Sequence, residues 1–291
     1  MPPAGKVGDH PKNLAVHQIL GGLTLRIIML GAHPDDCEYY AGGTAALWAA
    51  AGAKVQLVAL TNGDAGHQSE GGGALARRRA AESRRSARIL GVSWRTLDFH
   101  DGAIVPSLEV REAVIRAIRD WRAEVVISHR PNDYHPDHRY AGAVMQDAAY
   151  LVTVPNICPD TPRLKRNPVF LYFLDEFQKP APFKADVTVD VDKVMDRKWA
   201  ALDAMDSQVY EWIPWIEEKL DQVPAGAEER LEWLKSDLGP VFRRWTKNHA
   251  GALAGRYGAR HAAKVEFAES FELCEYGSQP DRAEVWKIFP R

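Results

Sequence analysis

The chain has 291 residues, a hydrophobic fraction of 46%, and 37 Lys and Arg side chains against 39 Asp and Glu. That length buries a full core as one large domain or one domain with an appendage, and the near-balance of charge gives no case for nucleic acid or an anionic membrane as partner. Three scattered cysteines, Cys37, Cys158 and Cys274, suit free thiols in a reducing cytoplasm rather than a disulfide framework. No apolar run approaches the roughly 20 residues that span a bilayer.

Residues 1–24 carry Asp9, His10 and several prolines, lack the apolar core of a signal peptide, and read as a leader or surface arm. LRIIMLGA (25–32) reads as a buried strand, TAALWAAAGA (44–53) as a helix, and KVQLVALT (54–61) as a second strand ending in the turn-rich NGDAGHQSEGGG. A helix rich in Arg, Ala and Glu over roughly 74–90 is closed by Gly91. VSWRTLDF is then a strand, SLEVREAVIRAIRDW a helix, AEVVISH a strand and PDHRYAGAVMQDAAYLV a helix. Near-continuous apolar strands alternating with helices predict an α/β, Rossmann-like fold, a mostly parallel sheet with helices on both faces.

Further along, VFLYFLDE (169–176) and ADVTVDV (185–191) read as strands and DKVMDRKWAALDAMDSQ as a helix. GAEERLEWLKSDLGPVFRRW and YGARHAAKVEFAESFELCEYG read as helices that pack late onto the core. The expected organisation is a leader over 1–24, a catalytic α/β domain over 25–210, and a C-terminal helical elaboration over 211–291 packed on the same domain.

Where a dinucleotide-binding fold places bare glycines after its first strand, this chain has GAHPDDCEYYAGG, residues 31–43. His33-Pro34-Asp35-Asp36 follows the first strand, and His135-Pro136-Asp137-His138 follows the fourth. In a doubly wound sheet both segments leave the carboxyl edge and face each other across one crevice. Either segment alone reads as a helix N-cap. Two of them at equivalent loop positions, with a surplus carboxylate in the first, read as a metal site.

Imidazole and carboxylate together suit zinc, and a catalytic zinc site keeps three protein ligands and an open position for water. His33 and Asp36, three apart around a turn, can grip one ion, with the third ligand supplied by the opposite loop. A carboxylate left over can then act as general base and a histidine left over can stabilise an oxyanion. Spacing leaves open which aspartate has which task. A nucleotide-binding module is disfavoured, because GAHPDD replaces GxGxxG and its carboxylates repel a pyrophosphate.

AHPDDCE at 32–38 with HPDH at 135–138 closely resembles the LmbE-like, or PIG-L, zinc-dependent de-N-acetylases, which include sugar deacetylases of mycothiol, bacillithiol and diacetylchitobiose metabolism. The resemblance covers roughly 25–210. It implies that His33, Asp36 and His138 hold one Zn2+ per chain, other divalent metals being admissible. It further implies that Asp35 is the general base, that His135 polarises the carbonyl, and that Asp137 orients His135. The implied reaction removes an N-acetyl group from an amino sugar such as an N-acetylglucosamine derivative or diacetylchitobiose. Asp35 takes the proton of the attacking water and returns one to the departing amine. An amidase of a thiol-sugar conjugate and a catalytically silent metal-binding protein are the alternatives, and the presence of Asp35 opposes the second.

Candidate substrate contacts follow from the same loop edge and the same resemblance. Asp64 in TNGDAGH can bind a sugar hydroxyl, and Asp101 in DFHDG matches a family position near the sugar. Arg79 matches a sugar-contacting arginine, although spacing does not choose among Arg77, Arg78 and Arg79. Asp133 and Tyr134 precede HPDH; the mycothiol-type pattern has a tyrosine where Asp133 stands, which argues against that substrate. His129 and Arg130 end the fourth strand and can line the pocket. Cys37 reads as a small packed side chain, and Trp212 and Trp215 as a sugar-stacking wall, core, or a subunit contact. The expected assembly is a cytoplasmic homo-oligomer whose partner is a small N-acetylated amino sugar.

Overall fold

The structure, a computed structural model, describes residues 24–291, so the leader expected over 1–24 lies outside the described residues except for Thr24. The most apolar segments become the middle of one seven-stranded sheet. β1 (Arg26–Gly31) and β4 (Val125–Ser128) lie side by side, and Ile27, Ile28, Met29, Val125, Val126 and Ile127 are wholly buried because layers cover both faces. β2 (Lys54–Thr61) and β3 (Ser93–Phe99) extend the sheet on one side. β5 (Val169–Phe173), β7 (Ala268–Gly277) and β6 (Val187–Asp190) extend it on the other, in that spatial order. The first five strands are mutually parallel, and β7 runs antiparallel to both neighbours.

Helices α1 (Asp36–Ala50), α2 (Gly72–Leu90), α3 (Leu108–Trp121) and α4 (Pro136–Leu151) follow β1, β2, β3 and β4. From β1 the chain winds outward through β2 and β3, then returns to build β4 and β5 on the other side. The order therefore reverses between β1 and β4, and the loops after these two strands flank the crevice where ligands bind in such sheets. This is the Rossmann-like arrangement expected from the alternation.

One face of the sheet packs on α3 and α4 through Ile28, Val58, Val126, Val114, Ile118, Val144 and Met145. The other packs Met29, Leu57 and Leu171 against Ala45 and Trp48 of α1, Trp199 of α5 (Met195–Asp203), and Phe242 and Trp245 of α6 (Ala227–Asn248). The C-terminal segment thus shares a core with α1. It is not all helical: AESFELCEYG, expected to be helix, is β7. Its alternation places Phe271 opposite Phe173 and Leu273 opposite Leu171, along the edge of β5, while the Ala-rich stretch before it keeps only the short helix Ala259–Ala262. Buried Glu269 of β7 accepts hydrogen bonds from Gly43 N (2.9 Å), Thr44 N (2.7 Å) and Lys198 Nζ (2.7 Å), tying the strand to α1. Among the described residues no helix is long and apolar enough to cross a membrane.

Candidate metal centre

The loop after β1 turns so tightly that a Cβ on Gly31 would lie 2.9 Å from Cβ of Asp36, so glycine lets α1 start directly over the strand end. Asp35 holds the N-cap position with φ of 156° and makes no side-chain capping bond. That backbone is costly for a residue with a side chain; Arg79 of α2 holds it, donating to Pro34 O (3.0 Å) and pairing with Asp35 Oδ2 (3.2 Å). Asp36 Oδ2 accepts from His33 N at 2.8 Å. Neither aspartate spends its side chain on capping the helix.

The second loop is built differently. His135 is the N-cap of α4, and its Nδ1 accepts the Asp137 N–H at 3.2 Å. The neutral ring therefore carries its proton on Nε2, as a donor. Asp137 is fully buried and accepts from Gly102 N (2.7 Å) and Ile104 N (3.2 Å). Its carboxylate meets His33 Nε2 at 3.3 Å, so Asp137 orients His33, where the sequence reading had it orient His135. Asp133 accepts from His135 N (2.9 Å) and from His138 Nδ1 (3.1 Å).

When the rings are neutral, as a metal ligand must be, these contacts decide which nitrogens are free. His33 Nε2 faces Asp101 (3.2 Å) as well as Asp137, leaving Nδ1 with its lone pair. His138 Nδ1 faces Asp133, leaving Nε2 with its own. The two lone-pair nitrogens are 3.2 Å apart, and they lie 3.6 and 3.3 Å from carboxylate oxygens of Asp36. Facing lone pairs repel unless a proton or cation lies between them. Tetrahedral zinc with bonds of about 2.0–2.2 Å separates its ligand atoms by about 3.3–3.6 Å, so the set fits one ion. Among the described residues, three other groupings could also hold a metal: His33, His135 and His138; Asp36, His129 and His138; and His33, Asp101 and Asp137. All three share residues with this cluster.

The electrostatics point the same way. Burial works against a charged His33, but hydrogen bonds to Asp101, Asp137 and Asp36 outweigh it and hold the ring well above the ordinary imidazole value. His138 is likewise pushed up to about 9, with Asp36 and Asp133 overcoming burial. Burial pushes Asp35 up to about 6 against the pull of Arg79, with the like charge of Asp36 adding to it. Burial would also raise Asp36, yet His138 and His129 hold it well below the usual carboxylate range. So many carboxylates around three imidazoles make a site that attracts a cation.

His33, Asp35, Asp36, His135 and His138 line a cleft of about 390 Å³ together with Arg79, Asp101 and Tyr134. Of the three consecutive arginines, Arg79 is the buried one that reaches the cleft, Arg77 is exposed, and Arg78 pairs with Glu211 at 2.6 Å. Asp64 does not line the cleft; it accepts from Asp101 N (3.0 Å) and faces His100 Nδ1 (2.7 Å), holding the turn that carries Asp101. Asp133 serves His138 in place of a ligand, and Arg130 pairs with Asp175 at 3.2 Å. His129, a minor candidate in the sequence, lies 3.0 Å from Asp36 Oδ2 and stacks on His138 at 4.0 Å. Cys37 is buried in the core, and Trp212 faces the cleft.

Fold and cluster define a doubly wound α/β protein with a candidate metal centre at its switch point. Residues 28–149 match the PIG-L family, described as GlcNAc-PI de-N-acetylase. A diacetylchitobiose deacetylase of Thermococcus kodakarensis is 32% identical over 203 residues, 66% of this chain and 74% of that one. The chain belongs to the PIG-L family. A 4-oxalmesaconate hydratase of Pseudomonas putida is 26% identical over 193 residues, 64% of this chain and 74% of that protein. The solved N,N'-diacetylchitobiose deacetylase of Pyrococcus horikoshii superposes with a TM-score of 0.65 at 22% identity, covering 85% of this chain and 83% of its own, and shares the fold.

Proposed function

We propose that this chain is a metal-dependent N-deacetylase that removes the acetyl group of an amino sugar such as an N-acetylglucosamine derivative. The observation that carries the reading is the approach of His33 Nδ1, His138 Nε2 and the Asp36 carboxylate to within 3.2–3.6 Å of one another, with Asp35 beside them in the same cleft. His33, Asp36 and His138 hold the ion, and zinc suits their mixture of imidazole and carboxylate. Such an ion supplies a Lewis acid and brings the pKa of its water near 7.

The remaining work belongs to the chain. Asp35, held by Arg79, takes a proton from water and gives one back to the departing amine, as a positioned carboxyl group can do in turn. His135 directs its Nε2–H at the carbonyl oxygen as negative charge develops there. Asp101 and Asp137 hold His33, and Asp133 holds His138, in the tautomers that present a lone pair to the ion. The products are acetate and a free amino sugar. A reducing cytoplasmic setting suits three buried, unpaired cysteines.

The relation to a hydratase raises a second chemistry on this fold. Among the described residues lining the cleft, the arginine, Arg79, is committed to Asp35 and three carboxylates stand nearby, so a carboxylated substrate would have only the ion and the imidazoles as cationic partners. Metal analysis with an acetate-release screen over N-acetylated sugars, wild type beside Asp35→Ala, tests the reading. We expect one equivalent of metal and acetate release that Asp35→Ala removes. Bound metal with no acetate from any N-acetylated sugar would overturn it.

A further inference from the structure

Opposite the charged floor, the cleft has a wall of another character. Residues Ser207–Trp212 form a π-helical segment that runs into the short helix Ile213–Ile216, and Trp212, Ile213 and Ile216 line the cleft. Trp212 stacks on Trp215 with centroids 5.4 Å apart and planes within 13°. Ile216 and Trp215 are 54% and 49% exposed, and Tyr134, which also lines the cleft, is 75% exposed. A mouth of exposed apolar side chains is a recognition feature when it adjoins a site, and π-helical turns concentrate at functional sites.

The wall is also anchored. Glu211 accepts from both guanidinium ends of Arg78 (2.9 and 2.6 Å) and faces His67 Nε2 at 2.8 Å. Glu82 takes Ser207 N at 3.1 Å and its hydroxyl at 2.5 Å, and Gln208 Nε2 donates to Gly66 O at 3.2 Å. These ion pairs and hydrogen bonds fix the segment that carries Trp212, Ile213 and Ile216 along the cleft.

Resting on the deacetylase reading, we infer that the substrate carries a neutral apolar aglycone on its N-acetylated amino sugar, and that this group lies against Trp212 and Ile216. Two observations favour the aglycone over a long acyl chain. The acyl carbon must sit among His33, Asp35, Asp36 and His135, so the first methylenes of a long chain would bury carboxylates without offering them a hydrogen bond. The apolar residues lie instead at the exposed mouth, where the end of the molecule far from the amide emerges. Among the described residues lining the mouth no lysine or arginine faces an anionic group, Arg79 being paired with Asp35 deeper in the cleft.

Calorimetric titration of the zinc-loaded Asp35→Asn protein with the methyl and hexyl glycosides of N-acetylglucosamine, and with N-hexanoylglucosamine, tests this without turnover. The hexyl glycoside should bind on the order of ten-fold more tightly than the methyl glycoside. That ratio should fall about five-fold or more on adding Ile216→Ser, whose exposed position leaves folding intact. Equal binding of the two glycosides, a ratio unmoved by Ile216→Ser, or tighter binding of N-hexanoylglucosamine would overturn the inference. Acetate release by the wild type is read separately, so a protein that binds the hexyl glycoside tightly yet releases no acetate contradicts the activity and not the subsite.

Discussion

The two His-Pro-Asp segments differ by little in sequence and by nearly everything in use. In the first, His33 turns its Nδ1 toward the cluster, Asp35 sits on a strained backbone with its side chain free of capping, and Asp36 faces His33, His129 and His138. In the second, His135 caps a helix, Asp137 is buried beneath His33 as its support, and the fourth residue, His138, reaches the cluster. Each segment meets the crevice from a neighbouring strand, but α1 begins at Asp36 and α4 at Pro136. That offset rotates equivalent letters into different places. The tripeptide marks a loop at the carboxyl edge; the start of the helix decides which side chain faces the cluster.

The largest way to break this contrast is to remove a side chain aimed at the cluster. His138→Ala should lose bound metal and acetate release together, whereas His135→Ala should keep its metal and lose about 10²–10³ in kcat, as for one oxyanion donor. Equal metal loss in both variants would erase the distinction. Asp137→Asn sharpens it: acting on His33, the change should weaken metal affinity about 10–100-fold, read by chelator competition. An effect confined to kcat at saturating metal would return Asp137 to His135.

The smallest effect is expected away from both segments. Hydrogen bonds from Arg78, opposed by burial and aided by His67, hold Glu211 below its ordinary value of 4.5. A lowered carboxylate stabilises the fold fully above the unfolded value and loses that contribution as pH falls through the folded one. Glu211→Gln should therefore lower stability by about 1 kcal/mol or less at pH 7, and the difference in melting temperature should close below pH 4.5. A gap that is constant or widens in acid would contradict the pairing. Metal content should not change.

Much of this architecture is legible in the sequence. The apolar runs of β1 to β4 alternate with helices, so the parallel sheet and its crevice followed from periodicity, and the paired loops pointed to the cluster. The supporting aspartates were less legible. Asp64 reads as a sugar contact from its place in the loop after β2, Asp101 from the family resemblance, and Asp133 from its place beside HPDH. In space Asp133 braces His138 within its own loop, Asp101 braces His33 while still lining the cleft, and Asp64 braces Asp101; the last two pairings join separate loops and have no local signature. β7 reads as helix because of its three glutamates and the alanine-rich stretch before it, and only the open edge of β5 makes its alternation decisive. The wall at Trp212 depended on a π-helical turn held by Arg78 and Glu82, partners more than a hundred residues away.

The central claim is that Asp36 holds the metal while its neighbour Asp35 moves the proton. Metal content and acetate release measured together on Asp35→Asn and Asp36→Asn test it most directly. Asp35→Asn should retain one equivalent of zinc and lose about 10²–10⁴ in kcat, and Asp36→Asn should lose the zinc itself. Zinc lost from Asp35→Asn, or retained in full by Asp36→Asn, would contradict the assignment.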